Sequence, residues 1–215
     1  SSSITEGEIN GQDVAILSRH GKNHSISPSN VNFRANIWSL KELGCCHIIA
    51  TTAVGSLREE IKPGDIILPN QFIDFTKIRE STFFDSDKVV HTPMSEPFCR
   101  ELIKLISSIA NGLNLKTHEN KTVITIEGPR FSTKAESHLF RQWGADIINM
   151  STCPEAALAN ELGIKYSALA VSTDYDCWKE DEEPVSWEMI ERIMKRNSGN
   201  LLEIIKQLVP QINSA

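Results

Sequence analysis

Three short segments carry side chains of a kind that could hold an anion or move a proton. Arg19-His20 sets a guanidinium fork beside an imidazole, a pair suited to clamping a phosphate, although such a pair at a strand end is also a common surface feature. Thr51-Thr52-Ala53-Val54-Gly55-Ser56 offers hydroxyls and unhindered backbone amides, which in a tight turn either cradle an oxyanion or simply reverse the chain. Ser172-Thr173-Asp174-Tyr175-Asp176 places two carboxylates two residues apart, near Tyr175 and Trp178, as a solvated acidic loop or as groups that read a heterocyclic base. His20 and His24 stand four apart, as two metal ligands on a helix would. Gly21 disfavours a helix there and no Glu follows His20, so no metal site is expected. The run Glu180-Asp181-Glu182-Glu183 reads as a solvated face.

These segments need a scaffold, and the hydrophobic pattern predicts one. Asp13 to Ser18 reads as a buried strand, a helix runs to about Leu43 with Gly44 as its stop, and His47 to Thr52 is a strand ending in the small-residue turn. Further strands are expected at Ile66 to Leu68, around Phe72 to Phe75, at Thr122 to Glu127, at Asp146 to Met150 and at Lys165 to Val171. Between Lys77 and Thr92 the chain is polar and irregular, and Ser95-Glu96-Pro97 opens a helix with Phe98, Leu102, Leu105, Ile106 and Ile109 on one face. Thr133-x-x-Glu136 and Thr152-x-x-Glu155 are capping-box signatures for two more helices, the second stopped by Gly163, and a long last helix runs from near Ser186 to Pro210. The alternation predicts an α/β domain with a largely parallel or mixed sheet. Ligands in open α/β sheets sit outside the carboxyl ends of strands, so five loops (Arg19-His20, Thr52 to Gly55, Gly128 to Ser132, Asn149-Met150-Ser151 and Ser172 to Asp176) are expected to meet at one edge.

Composition bounds the rest. A chain of 215 residues, 40% hydrophobic and 23% charged, suits one domain with a substantial core, and a net charge of -6 argues against a general nucleic-acid or anionic-membrane surface. Any phosphate must be held by a few local donors. Five cysteines without a CxxC pair predict reduced thiols, and neither a membrane-length apolar run nor a signal-peptide pattern is present, so a cytoplasmic location, extending to the nucleus, is expected. The dinucleotide GxGxxG, the P-loop and the GxSxG elbow are all missing.

Five motifs occur jointly and in order: Ser18-Arg19-His20-Gly21, Thr51 to Glu60, Glu127-Gly128-Pro129-Arg130-Phe131-Ser132, Trp143-Gly144-Ala145-Asp146 with Asn149-Met150-Ser151, and Thr173-Asp174-Tyr175-Asp176-Cys177-Trp178. Together they resemble the trimeric purine nucleoside phosphorylase superfamily, in its methylthioadenosine branch, from about Asp13 to Pro210. The resemblance implies one phosphorylase-type domain over residues 1–215, a mixed central sheet flanked by helices, and phosphorolysis of 5′-methylthioadenosine to adenine and 5-methylthioribose 1-phosphate. Phosphate would be a co-substrate, with no other cofactor. It further implies a phosphate site at Arg19, His20, Thr52, Ala53 and Ser151, the last also near the ribose, with Met150 on the ribose, Phe131 against the base and Asn149 among the substrate-binding residues. Ser132, Thr173, Asp174 and Asp176 would face the purine edge, with Asp174 as the acid and Asp176 as its catalytic companion. A 5′ pocket would take Val185, Trp187 and Ile190, with His91 reaching in from a neighbouring subunit of a homotrimer. Two departures stand out. Family members carry an N-terminal strand with a Gly-Gly-Thr-Gly type phosphate loop and a C-terminal closing helix without counterparts in residues 1–215, and Trp187 is bulkier than the small aliphatic expected there. The alternatives are a phosphorylase for inosine and guanosine, or a nucleoside-binding homologue without catalysis.

Overall fold

Asn10 and Gly11 both adopt positive φ, 50° and 81°, the backbone that a two-residue hairpin turn demands, and they join strands where the sequence reading expects only one. In the computed structural model, which describes residues 2–86, 88–182 and 185–212, β1 (Ile4–Ile9) and β2 (Gln12–Leu17) form this antiparallel hairpin. The hairpin is a sheet of its own. The stretch read as a buried strand therefore lies outside the central sheet, with Ile16 59% exposed.

The central sheet is a closed barrel of five strands in the order β3 (His47–Ser56), β6 (Ile147–Asn149), β5 (Thr117–Ile126), β4 (Ile66–Phe75), β7 (Lys165–Asp174). β3 and β7 are parallel to one another, β4, β5 and β6 are parallel among themselves, and the two groups meet in antiparallel pairs at β3/β6 and β4/β7. The sheet is thus mixed, as expected, but it has no open edge. Helices α1 (Phe33–Glu42), α2 (Arg100–Gly112), α3 (Lys134–Gln142), α4 (Thr152–Glu161) and α5 (Trp187–Leu208) lie around it. β7 is buried from Tyr166 to Asp174, which explains its unbroken apolar reading.

Several expected boundaries shift for identifiable reasons. Thr51 to Ser56 is strand rather than turn, because Gly55 and Ser56 continue β3 into pairing with Ile148 and Ile147. The two short strands around Pro69 are one strand, β4, whose register slips at Pro69, which has no N–H to give the ladder. Helix α2 begins at Arg100, after the Ser95-Glu96-Pro97 signal, because the Cys99 amide donates to the Tyr166 carbonyl (2.8 Å) and holds that stretch extended. The Thr133–Glu136 capping box forms at α3. The matching Thr152–Glu155 signature does not cap α4, whose N-cap is Ser151 without a side-chain bond. In the acidic run, Glu180, Asp181 and Glu182 are exposed, and Glu183 lies outside the described residues.

Candidate active site

Because β6 runs antiparallel to β3, the chain leaving β6 travels back beside the middle of β3. Asn149, Met150 and Ser151 are thereby brought alongside Thr52. The Ser151 and Thr52 hydroxyls lie 3.1 Å apart, and the Asn149 side-chain amide donates to Thr52 (3.3 Å) and to Thr152 (2.7 Å). Asn149 is itself fixed by the buried Thr125 hydroxyl, which donates to its carbonyl oxygen (2.9 Å). The clusters therefore meet along one strand rather than at a sheet edge. β6 pairs with β3 only at Gly55 and Ser56, so upstream residues have β7 on one side and no strand on the other. The Arg19 guanidinium enters from that open side and donates to the Thr51 carbonyl (3.1 Å). Alternate residues of a strand turn their backbone groups the same way, which puts the Ala53 amide on that side too.

Arg19 spends most of its fork within the protein. Nε and Nη2 donate to the two carboxylate oxygens of Glu155 at 2.8 and 2.9 Å, and the Tyr166 hydroxyl donates to the same carboxylate at 2.7 Å. Burial works against the charge on Arg19, but Glu155 outweighs it and leaves the guanidinium even more basic than usual; burial also pushes the Tyr166 phenol up. One N–H on each terminal nitrogen of Arg19 has no partner among the bonds of the described residues. Glu155 escapes a sequence reading because its motif is also a capping box.

The acid end of the site is three residues further along β3. Asp174 and Asp176 are 6% and 7% exposed. The Thr173 hydroxyl donates to Asp174 Oδ2 (2.7 Å), the Asp176 amide to Asp174 Oδ1 (2.8 Å), and the Ser132 hydroxyl lies 2.6 and 2.7 Å from the two oxygens of Asp176. Burial drives the Asp174 carboxyl up to about 6, against the two hydrogen bonds that favour its anion, and the like charge of Asp176 adds to the rise. This is no solvated acidic loop.

Met150 packs on Gly128, where a Cβ would collide with the Met150 sulfur; Phe131, in the same loop, is 42% exposed. His20 donates from Nδ1 to the Ile26 carbonyl (3.0 Å), which fixes the lone pair of the neutral ring on Nε2. Its ring stacks on His24 at 4.5 Å, and His24 in turn meets Trp187 at 4.5 Å, so the histidines pile face to face instead of converging as ligands. Burial lowers both imidazole pKa values. Among the described residues no three His, Cys, Asp or Glu side chains gather as a metal site would. Val185 and Ile190 are half-buried at the start of α5. His91 is exposed between β4 and α2, and among the described residues it has no hydrogen bond or ring contact with the site.

A family model described as "Phosphorylase superfamily" matches residues 1–210. The chain belongs to that superfamily. It is 50% identical to S-methyl-5′-thioadenosine phosphorylase of Danio rerio over 217 residues, covering 99% of this chain and 78% of the relative. The enzyme of that name from Xenopus tropicalis is 52% identical over 218 residues, with the same coverage. Among solved structures, methylthioadenosine phosphorylase from Schistosoma mansoni in complex with adenine superposes with a TM-score of 0.94 at 39% identity, covering 99% of this chain and 81% of that one. A methylthioadenosine phosphorylase from an antarctic soil metagenomic library gives 0.92 at 45% identity, covering 97% and 74%.

In this phosphorylase Gly55 is demanded by the site rather than by a turn. Its φ is ordinary, but a Cβ would lie 2.9 Å from Asp174 Oδ1 and 3.0 Å from Ile148 Cγ2. Gly55→Ala is therefore expected to displace the Asp174 carboxyl by a few tenths of an ångström and to cut turnover by roughly 10- to 100-fold, with secondary structure retained. Steady-state kinetics beside circular dichroism checks this; parent-like turnover contradicts the close packing.

Proposed function

We propose that the chain uses inorganic phosphate to split 5′-methylthioadenosine into adenine and 5-methylthioribose 1-phosphate. The observation that carries this reading is the pairing along β3 of an anion-receptive group at Thr52, Ala53, Ser151 and Arg19 with a buried carboxyl at Asp174. They are two to three residues apart, roughly 7–10 Å, a span that a ribose bridges. The names of the relatives support the same substrate.

As the C1′–N9 bond lengthens, positive charge builds on the ribose and negative charge on the purine. Phosphate below the sugar stabilises the first and then bonds to C1′. The bond's electron pair passes into the purine, and Asp174 delivers its proton to N7, leaving neutral adenine and an aspartate. The carboxyl level of about 6 supports this role, since it keeps a proton available near neutral pH. Asp176, tied to Ser132, holds the purine edge and raises Asp174 by its like charge. Because Glu155 neutralises Arg19, the phosphate is held largely by hydroxyls, the Ala53 amide and the two remaining guanidinium N–H groups. In this reading His20, whose Nδ1 is taken by the Ile26 carbonyl, accepts a phosphate O–H at Nε2.

In this reading the 5′ substituent lies against Trp187, Val185 and Ile190, and the working form is a homotrimer in which His91 of one subunit reaches its neighbour. Exposed apolar residues, with Leu139 and Trp143 37% and 49% exposed, support burial against further copies of the chain. The deciding experiment incubates the protein with methylthioadenosine with and without phosphate and follows adenine. Adenine and 5-methylthioribose 1-phosphate should appear only with phosphate; binding without cleavage, or preferential release of hypoxanthine from inosine, would overturn the reading. Light scattering at three chain masses tests the trimer.

A further inference from the structure

Arg79 lies in the polar, irregular stretch after β4, where an arginine would ordinarily point into water, yet its side chain is only 1% exposed. All five of its N–H groups are used. Nε donates to Glu127 Oε1 (3.1 Å), Nη1 to the carbonyls of Met150 (2.8 Å) and Cys153 (2.6 Å), and Nη2 to the carbonyls of Ile126 (3.3 Å) and Glu127 (2.7 Å). The guanidinium also lies 5.1 Å over the Phe33 ring. Glu127 closes the arrangement by accepting from the Lys77 and Ile78 amides at 2.6 and 3.2 Å. Four of the five bonds thus go to backbone carbonyls in two segments: the end of β5, from which the Phe131-Ser132 loop departs, and the junction of β6 with the first residues of α4.

We infer that Arg79 is a positioning residue for the phosphate and ribose half of the reaction, acting through the backbone that carries Ser151. The inference rests on the phosphorolysis reading above. The Met150 and Cys153 carbonyls bracket Ser151, so the one guanidinium that grips both sets where the Ser151 hydroxyl stands relative to Thr52. Arg79 also holds the Ile126 and Glu127 carbonyls at the root of the Phe131-Ser132 loop, but the adenine end has further anchors of its own, since Ser132 is tied to Asp176 and Asp174 to Thr173 by bonds that Arg79 does not touch. Loss of Arg79 should therefore loosen one half of the site and spare the other, a split that general destabilisation does not produce. Lysine cannot substitute, because a point charge with three donors cannot span two segments in a plane.

The test compares Arg79→Lys with the parent in three readouts: KM for phosphate, kcat and the Kd for adenine alone. KM for phosphate is expected to rise about fivefold or more and kcat to fall, while the adenine Kd stays within about twofold. A second variant, Glu127→Gln, keeps the four carbonyl acceptors but weakens the hold on Nε and on the Lys77 and Ile78 amides. It should raise KM for phosphate about two- to threefold and leave adenine binding unchanged, and it decides the matter alone if Arg79→Lys does not fold. Equal shifts in both halves of the site, or none in either, overturn the inference. A parent protein that releases no adenine with phosphate points instead to failure of the phosphorolysis reading.

Discussion

Asp174→Asn is expected to slow adenine release by roughly 10²- to 10⁴-fold, the usual contribution of a positioned general acid. The amide has the same shape and its oxygen can still accept from the Asp176 amide, while its NH2 faces the Thr173 hydroxyl, which can donate to the Val54 carbonyl instead, but it has no acidic proton to give N7. The pH profile separates this from a loss of fit. With the Asp174 carboxyl at about 6, only about one molecule in ten carries the proton at pH 7, so kcat/KM should fall about tenfold per pH unit above pH 6. Any limb due to phosphate's own ionisation persists in the variant, whereas the Asp174 limb disappears. If it remains, or turnover drops less than tenfold, the proton comes from elsewhere.

The same shift has a stability consequence of definite sign. The folded carboxyl binds its proton more tightly than the unfolded one, whose reference is 3.8, so the stabilisation is fully present below pH 3.8 and is lost as pH rises through about 6. That loss is roughly 3 kcal/mol, an order of magnitude set by burial rather than by Asp176. Asp174→Asn removes the penalty, so at pH 8 the variant should melt no lower than the parent. The acid is thus kept at some expense to the fold.

The elements around this acid were far more legible in the sequence than the contacts that tune it. The alternation of strands and helices, the Thr133–Glu136 capping box and the long helix from Ser186 all follow from local pattern. Locally identical patterns part company where a distant residue intervenes: Thr152-x-x-Glu155 matches the same template, but Glu155 is taken by Arg19, 136 residues away. Gly55 reads as a turn glycine because sequence shows the missing side chain and not the Asp174 carboxyl that requires it. Arg79 has partners that are mostly backbone carbonyls, which carry no residue identity to read. The hairpin is different, because the Asn10-Gly11 dipeptide is a recognised turn signal that sequence does show. Closure of the barrel depends on β4/β7 and β3/β6 pairings, each of two residue pairs, too short to leave a periodicity.

Glu155→Gln is expected to destabilise the protein by about 3–5 kcal/mol, the usual cost of removing one partner from a buried ion pair. The Arg19 and Glu155 side chains are 16% and 7% exposed, and their bonds tie the segment after β2, the carbonyl of Thr51 on β3, helix α4 and, through Tyr166, strand β7. With glutamine, the amide nitrogen meets the guanidinium, two donors facing each other, while Tyr166 loses a charged acceptor. For a domain of this size the midpoint of thermal unfolding should fall on the order of 10 °C. Replacing both partners, Arg19→Met with Glu155→Leu, removes the unpaired charge as well, so much of the lost stability should return, leaving mainly the Tyr166 hydroxyl without its acceptor and the Thr51 carbonyl without its donor. Phosphate affinity should not return, because a thioether side chain has no N–H to offer. A double variant that is both stable and phosphate-weak means the buried pair is retained for the anion and not for the fold. One that binds phosphate like the parent removes Arg19 from the phosphate site and leaves Thr52, Ala53 and Ser151 to hold it.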